Sequence, residues 1–331
     1  MPAMNDTQSP LVSVVMPLRN AQQYLREAID SVLQQNFKNF ELLLIDDFSQ
    51  DDSWAICQSY SAADGRVRLL RNEAAGIIGA LNFGIAHARG ELIARMDADD
   101  ICETQRFALQ VQELQRTPAI AVLGSAASLI NHRGDVVGEL SYATAPSEIY
   151  HELLHRSCII HPSAMMRTGA VRQAGGYRNA FLRCEDYDLW LRIAEPTNIA
   201  NLKEPLLRYR LHEEQVTWAG IEQRILSEVF AVALAKRRRA GQPDDINDLS
   251  PIDRNVLRDL GITEEEVSTK ILYGAFGAAT SALQLGQYRG ARTALDLLAR
   301  QRPMPFRIRL RSLALRLELA WRERRHQAEL A

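Results

Sequence analysis

The chain has 331 residues, 47% of them hydrophobic and 24% charged, with a formal net charge of -2. That is the balance of an ordinary globular protein, long enough for a large core plus an appendage or second domain, and it excludes any global attraction to nucleic acid or anionic membrane. Cys57, Cys102, Cys158 and Cys184 are widely spaced and form no CxxC pair, which excludes a zinc knuckle or disulfide framework and predicts reduced thiols in a cytosolic protein.

The N-terminal "MPAMNDTQSP" has no basic segment followed by an apolar one, and residues 1–10 read as a flexible terminus. No stretch reaches the roughly 18 consecutive apolar residues of a membrane span, so a chain neither exported nor membrane-spanning is expected. The valine-rich run from Leu11 to Met16 is a buried strand that stops at Pro17. In "NAQQ", Asn20 with Gln23 three residues on predicts a capping box, after which Leu25, Ala28, Ile29, Val32 and Leu33 follow helical spacing. A second strand, Phe40 to Ile45, ends in Asp46-Asp47. A helix near Ser53 to Ser61, a strand near Val67 to Leu70, a helix over about Ile77 to Ala88 and a strand over Glu91 to Met96 follow. Alternation in units of roughly 25 to 30 residues argues for a parallel sheet with helices on both faces, whose ligands gather beyond the carboxyl ends of the strands. Pro17, Asp47 and the "DADD" of 97–100 all fall there.

Regularity then weakens. A helix over Arg106 to Gln115, a strand over Ile120 to Leu123, a hairpin around "NHRGD", a helix before His155, a strand near Ser163 to Met166 and a helix beginning near Tyr187 are expected. "SEVFAVALAKRRRAGQPDD" reads as helix then linker, and residues 263–326 as almost continuous helix broken near Gly286, Gly290, Pro303 and Pro305. The expected organisation is an α/β domain over 11–217, a helix and linker over 218–245 and a helical region over 246–331. "LQLGQYRGARTALDLL" looks like one tetratricopeptide-like hairpin, where a solenoid needs about three.

Residues two apart on a strand point the same way, so Asp97 and Asp99 can address one ligand as the fourth strand frays into a loop. Magnesium and manganese take one or two protein carboxylates and complete an octahedron with phosphate oxygens and water, which suits the pair to a metal-diphosphate complex. The plainer alternative is an acidic loop that solvates itself. Asp47 can accept from a uracil imide N–H or from ribose hydroxyls, although Asp46-Asp47 with Ser49 also reads as a turn and cap. In "MPLRN", backbone groups can meet the same nucleotide, with Pro17 fixing the loop.

"VSVVMPLRNAQQYLREAIDSVLQQNFKNFELLLIDDFSQDDS", "GALNFGIAHARGELIARMDADD", "HPSAMMR" and "GGYRNAFLRCEDYDLWLRI", in this order, resemble the inverting family 2 glycosyltransferases of GT-A fold over residues 11–217. The resemblance implies an α/β fold, a GT-A-like, mainly parallel nucleotide-binding sheet flanked by helices, with an α-helical C-terminal region. It also implies a nucleotide-sugar donor carried by UDP, with GDP and dTDP open, Mn2+ or Mg2+, inversion, and a glycan or lipid-linked acceptor in cell-surface polysaccharide synthesis. Carried over residue by residue, Asp47 holds the base, Asp97 contacts the nucleotide, Asp99 ligates the metal and Asp186 in "CEDYDLW" is the catalytic base. Pro17, Arg19 and Asn72 join the donor side, and Glu185 and Trp190 the acceptor side. His212 in "RYRLHEEQVT" resembles a position where some members add a metal- or phosphate-contacting histidine. Arg19 departs from the family's usual aromatic or small residue. A sugar or lipid hydroxyl needs a positioned carboxylate to take its proton, help typically worth about 10²- to 10⁴-fold, while a metal neutralises the departing diphosphate. A favourable helix N-terminus is the other reason for acids at 185 and 186.

Between Arg302 and Arg325, eight arginines and two glutamates alternate with Phe306, Ile308, Leu310, Leu313, Leu315, Leu317, Leu319 and Trp321. As a helix, 302–325 either packs on the preceding hairpin or lies on an anionic membrane, placing a cytoplasmic chain at the inner face of the cell membrane; no nucleic-acid partner is expected. A rival reading is a non-catalytic nucleotide-sugar-binding scaffold that recruits partners through this tail. A scaffold has no need of the base at Asp186. A phosphohydrolase would want a nucleophilic aspartate after the first strand, where "PLRN" stands.

Overall fold

The computed structural model describes residues 9–73, 75–211, 220–244, 252–301 and 304–330, the last six of these as backbone. They form two compact units: one runs to Asn179 and adds Glu185–Arg210, the other comprises Ala180–Cys184 and the chain from Leu211 onward.

The first unit begins β1 (Val12–Leu18), α1 (Leu25–Leu33), β2 (Phe40–Asp46), α2 (Ser53–Ala63), β3 (Val67–Arg71), α3 (Ile77–His87) and β4 (Leu92–Arg95). The four strands are parallel in the order β3-β2-β1-β4. Every residue of β1 and β2 is buried, which explains why both read as unbroken apolar runs rather than alternating ones. The pairings Leu18 to Asp46 and Asp46 to Arg71 align the carboxyl ends at one edge, where the loops that follow converge.

β5 (Ile101–Cys102), α4 (Arg106–Arg116), β6 (Ile120–Ile130), β7 (Val136–Leu140), α5 (Pro146–Glu152), β8 (Met165–Arg167), α6 (Thr168–Gln173), α7 (Glu185–Ile193) and β9 (Asn198–Arg210) complete this unit. β8 inserts antiparallel between β4 and β6, and the order continues β6-β9-β5 with β7 on β6. The sheet is therefore mixed: its first half is parallel, and β8, β5 and β7 run antiparallel to their neighbours. β6 also runs well beyond the expected Leu123, because Gly124 to Ala127 continue its buried face.

The capping box expected at Asn20 does not form. Asn20 has φ 51, and its amide oxygen instead accepts from the Gln50 backbone N–H at 2.8 Å. α1 starts only at Leu25, without a side-chain cap.

In the second unit, α8 (Ile221–Arg239), α9 (Arg254–Asp259), α10 (Glu264–Gln284), α11 (Tyr288–Arg300) and α12 (Phe306–Leu330) follow in order. Thr263 and Glu266 close a capping box on α10. Gly286, at φ 71, makes the turn into α11, whereas Gly290 lies buried inside that helix and does not break it. α12 rests on this hairpin through Ile308 and Leu319, and Arg316 and Arg322 donate to the Leu295 and Leu283 carbonyls at 2.7 and 2.8 Å. Packing on the preceding hairpin is the first of the two arrangements considered for the tail. Among the described residues no helix is long and apolar enough to cross a membrane.

Candidate active site

The loops after β1 and β2 are tied together by main-chain donors and side-chain acceptors. Asn20 N–H donates to Ser49 Oγ at 3.0 Å, Ala21 N–H to the buried Ser53 Oγ at 2.8 Å and Asp52 N–H to Gln22 Oε1 at 3.0 Å. This bracing holds the rim on which Asp47 sits. Asp47 is buried, and its backbone N–H donates to the Leu18 carbonyl at 2.8 Å. Its carboxylate accepts from Asn72 Nδ2 at 2.8 Å and from the Gly76 N–H at 2.9 Å, with the Arg19 guanidinium 3.8 Å away and more than half exposed. Gly76 has φ 105, a backbone state that favours glycine and that turns this N–H toward the carboxylate. Arg19, Asp47 and Asn72 thus lie together, while Pro17 is buried within β1, which was expected to stop there but continues to Leu18.

At the end of β4, carboxylate oxygens of Asp97, Asp99 and Asp100 all lie within 4.8 Å of one another. Two arginines organise them. Arg95, buried in β4, ion-pairs with Asp97. Arg210, the last residue of β9, donates its backbone N–H to Asp100 Oδ1 and its Nε to the Asp99 carbonyl, both at 2.8 Å. It also reaches Glu27 Oε2 at 2.5 Å and lies 4.3 Å over the Tyr24 ring. Asp100 is fully buried, and burial together with the negative charges of Asp97 and Asp99 pushes its carboxyl well above the ordinary carboxylate range. An all-oxygen donor set of three clustered carboxylates fits a hard divalent cation. Asp97 and Asp99 are half-buried, and Asp100, which the sequence reading left unassigned, is the buried member of the cluster. His212 lies outside the described residues.

A second group of polar side chains gathers near the start of α7. Asp186, half-buried, and Glu185, buried, stand in its first turn. The Tyr177 hydroxyl is 2.8 Å from His161 Nε2, and the His161 ring stands edge-on to Trp190 at 5.9 Å. Burial pushes the Tyr177 hydroxyl up strongly; Arg95 opposes this, and the Asp186 and Glu185 carboxylates add to it. His161 is held well below the ordinary imidazole value by desolvation of its ring and by the Arg95 charge. Arg95 therefore acts on both groups, the aspartate cluster and the tyrosine beside Asp186. Its sequence signal is a cation closing the otherwise apolar "LIAR" just before the acidic run.

Two neighbours of Asp186 play structural parts. Asp188 is buried between Arg178, whose Nε donates at 3.0 Å, and Arg192, whose Nη2 donates at 2.7 Å. Trp190, expected on the acceptor side, is fully buried, with the His161 ring edge-on to it.

Residues 13–173 match the sequence model of Glycosyl transferase family 2. The O-antigen biosynthesis glycosyltransferase WbnJ of Escherichia coli is 33% identical over 62% of this chain and 81% of its own length. The putative glycosyltransferase EpsE of Bacillus subtilis is 31% identical over 74% of this chain and 89% of its own. The E. coli UDP-Glc:alpha-D-GlcNAc-diphosphoundecaprenol beta-1,3-glucosyltransferase WfgD is 31% identical over 62% and 79%. Among solved structures, S. aureus TarS 1-349 in complex with UDP-GlcNAc superposes with a TM-score of 0.59 at 15% identity over 87% of this chain and 89% of that one. The mannosyltransferase PcManGT of Pyrobaculum calidifontis, in complex with GDP-Man and Mn2+, gives 0.53 at 19% identity over 96% and 88%. These two likenesses are of fold, and both agree with a mixed GT-A sheet carrying its loops at the strand carboxyl ends. The chain is a glycosyltransferase and belongs to family 2.

Proposed function

We propose that this chain moves a sugar from a nucleotide-sugar, with UDP as the leading carrier, to a glycan or lipid-linked acceptor in cell-surface polysaccharide synthesis, with inversion at the anomeric carbon. The observation that carries it is the convergence of Asp97, Asp99 and Asp100 within 4.8 Å at the end of β4. The names of relatives support the donor and acceptor classes, one of them specifying UDP-Glc and a diphosphoundecaprenol acceptor. A neighbour of the same fold holds GDP-Man with Mn2+, which keeps GDP in the screen. The chain works in the cytoplasm, peripheral to the inner face of the membrane where a lipid-linked acceptor resides, and uses no nucleic acid.

In this reading the rim of Arg19, Asp47 and Asn72 receives the nucleoside. Asp47 keeps its carboxylate aimed by the Asn72 and Gly76 donors, so a base or ribose meets a fixed acceptor. Asp99, with Asp97 beside it, holds Mn2+ or Mg2+; when bound, the ion supplies charge neutralisation for the leaving diphosphate. Asp97 is kept in place by Arg95. Asp186 takes the proton from the acceptor hydroxyl as that oxygen attacks, with Glu185 next to it in the first turn of α7 on the acceptor side.

The test is Asp186→Asn, assayed by radiolabel transfer from UDP-sugars to lipid-extract acceptors. Turnover should fall by about 10²- to 10⁴-fold while the thermal shift given by UDP with Mn2+ stays at the wild-type value. Wild-type turnover in this variant would remove the assignment of Asp186 as base.

A further inference from the structure

α12 has two apolar faces, and the hairpin covers one of them. Ile308 and Leu319 are buried on α10 and α11. Phe306, Leu310, Leu313, Leu317 and Trp321, between 51% and 72% exposed, repeat at helical spacing on the opposite side. At 3.6 residues per turn these five fall within about 80° of the helix circumference and extend for about 22 Å. Isolated surface leucines need no explanation, but a continuous stripe of this length does.

The charges around the stripe say what covers it. Between Phe306 and Arg324 stand six arginines and two glutamates. Both glutamates are engaged, Glu318 with Arg322 and Glu323 with Arg292, and Arg316 pairs with Asp296. Exposed Arg307, Arg309, Arg311 and Arg324 remain around the apolar stripe. A second copy of this face would set arginine against arginine with no acid to neutralise them. An anionic, apolar-cored surface meets both demands, and the helix is too rich in charge to cross it.

We propose that this face of α12 lies in the plane of an anionic lipid bilayer, with Phe306, Leu310, Leu313, Leu317 and Trp321 at the acyl boundary and the four arginines on lipid phosphates. This deepens the proposed function, and it rests on that reading only in taking the acceptor to be lipid-linked. Tryptophan suits the headgroup level, and each arginine near an anionic surface strengthens partition several-fold in a salt-sensitive way.

The full chain is to be sedimented with vesicles of phosphatidylglycerol and phosphatidylcholine, and with phosphatidylcholine alone, at low and high salt. Expected are binding to the anionic vesicles that weakens with salt, its loss in Leu313→Asp/Leu317→Asp, and a drop of about 30-fold in Arg307→Gln/Arg309→Gln. All these positions are exposed, so both variants should keep the wild-type melting temperature and the UDP–Mn2+ thermal shift. No binding, or equal binding to both vesicle types, overturns the proposal. So does a dimer in analytical ultracentrifugation that the leucine variant dissolves, since the stripe is then an interface between copies. Vesicle binding without any nucleotide-induced shift would instead remove the donor-site reading and leave this one standing.

Discussion

His161 is a neutral imidazole by construction. Its ring, part-buried between Tyr177 and Trp190, is desolvated and feels the Arg95 cation, so its proton affinity lies well below the ordinary value of 6.5. The unfolded chain regains that ordinary value, and below about pH 6.5 it takes up a proton that the folded chain refuses. Stability from this residue is complete above pH 6.5 and falls as the pH drops, by up to about 1.4 kcal/mol per unit. Urea unfolding at pH 7.5 and 5.0 should show such a loss in the wild type and a distinctly smaller one in His161→Asn. An unchanged difference between the two pH values would show that the ring titrates normally. Asp188 makes a sharper case, because it neutralises two arginines from a buried position. Removing one member of such a cluster leaves charge stranded in the interior, so Asp188→Ala should lower unfolding free energy by about 3–5 kcal/mol, read from the urea midpoint. Asp186, two positions away and half-buried, should tolerate replacement with little loss of stability, and that contrast separates the structural acid of α7 from the proposed chemical one.

Elements carry the site by their ends and by how closely they approach. Gly90 precedes β4 where the chain crosses the start of β1, and a Cβ there would sit 2.7 Å from Ser13 N and 2.9 Å from Leu11 O. Those neighbours are main chain and cannot rotate away. Gly90→Ala should cost about 1–3 kcal/mol or more in a thermal melt, whereas Gly65→Ala, with nothing within 4 Å of the new atom, should be near neutral. β1, β2 and β4 were legible in the sequence because two-sided burial writes them as apolar runs, although β1 runs through Pro17 to Leu18 instead of stopping at the proline. β9 was not, since Lys203, Glu204 and Pro205 interrupt it; the pairing with β6 jumps from Leu202 to Pro205, and the proline sits in that irregularity. Asn20 deceived for a related reason: an Asx residue before a helix reads as a cap, but its amide serves a loop thirty residues away in sequence, which periodicity cannot see. Arg95 and Arg210 escaped notice because single arginines ordinarily face water, and only the fold shows both buried beside the aspartates.

The net charge of -2 conceals a division across the molecule, with acid concentrated at the end of β4 and arginine along α12. The acidic end has a thermodynamic consequence that can be read without knowing the acceptor. Three carboxylates held close together resist one another, and a diphosphate alone would add to that repulsion. A cation between them relieves it, so nucleotide and metal should bind with positive coupling, each weak without the other. With Mn2+ present, UDP at 100 times its dissociation constant should raise unfolding free energy by about 2.7 kcal/mol, a shift of several degrees in melting temperature. Chelation by EDTA should abolish the UDP effect, and Asp99→Ala should lose it even with Mn2+ in excess. A UDP shift that survives both treatments would mean that the nucleotide is held by the Asp47 rim alone. The aspartate cluster would then serve the fold, held by Arg95 and Arg210, and the metal would have no part in donor binding.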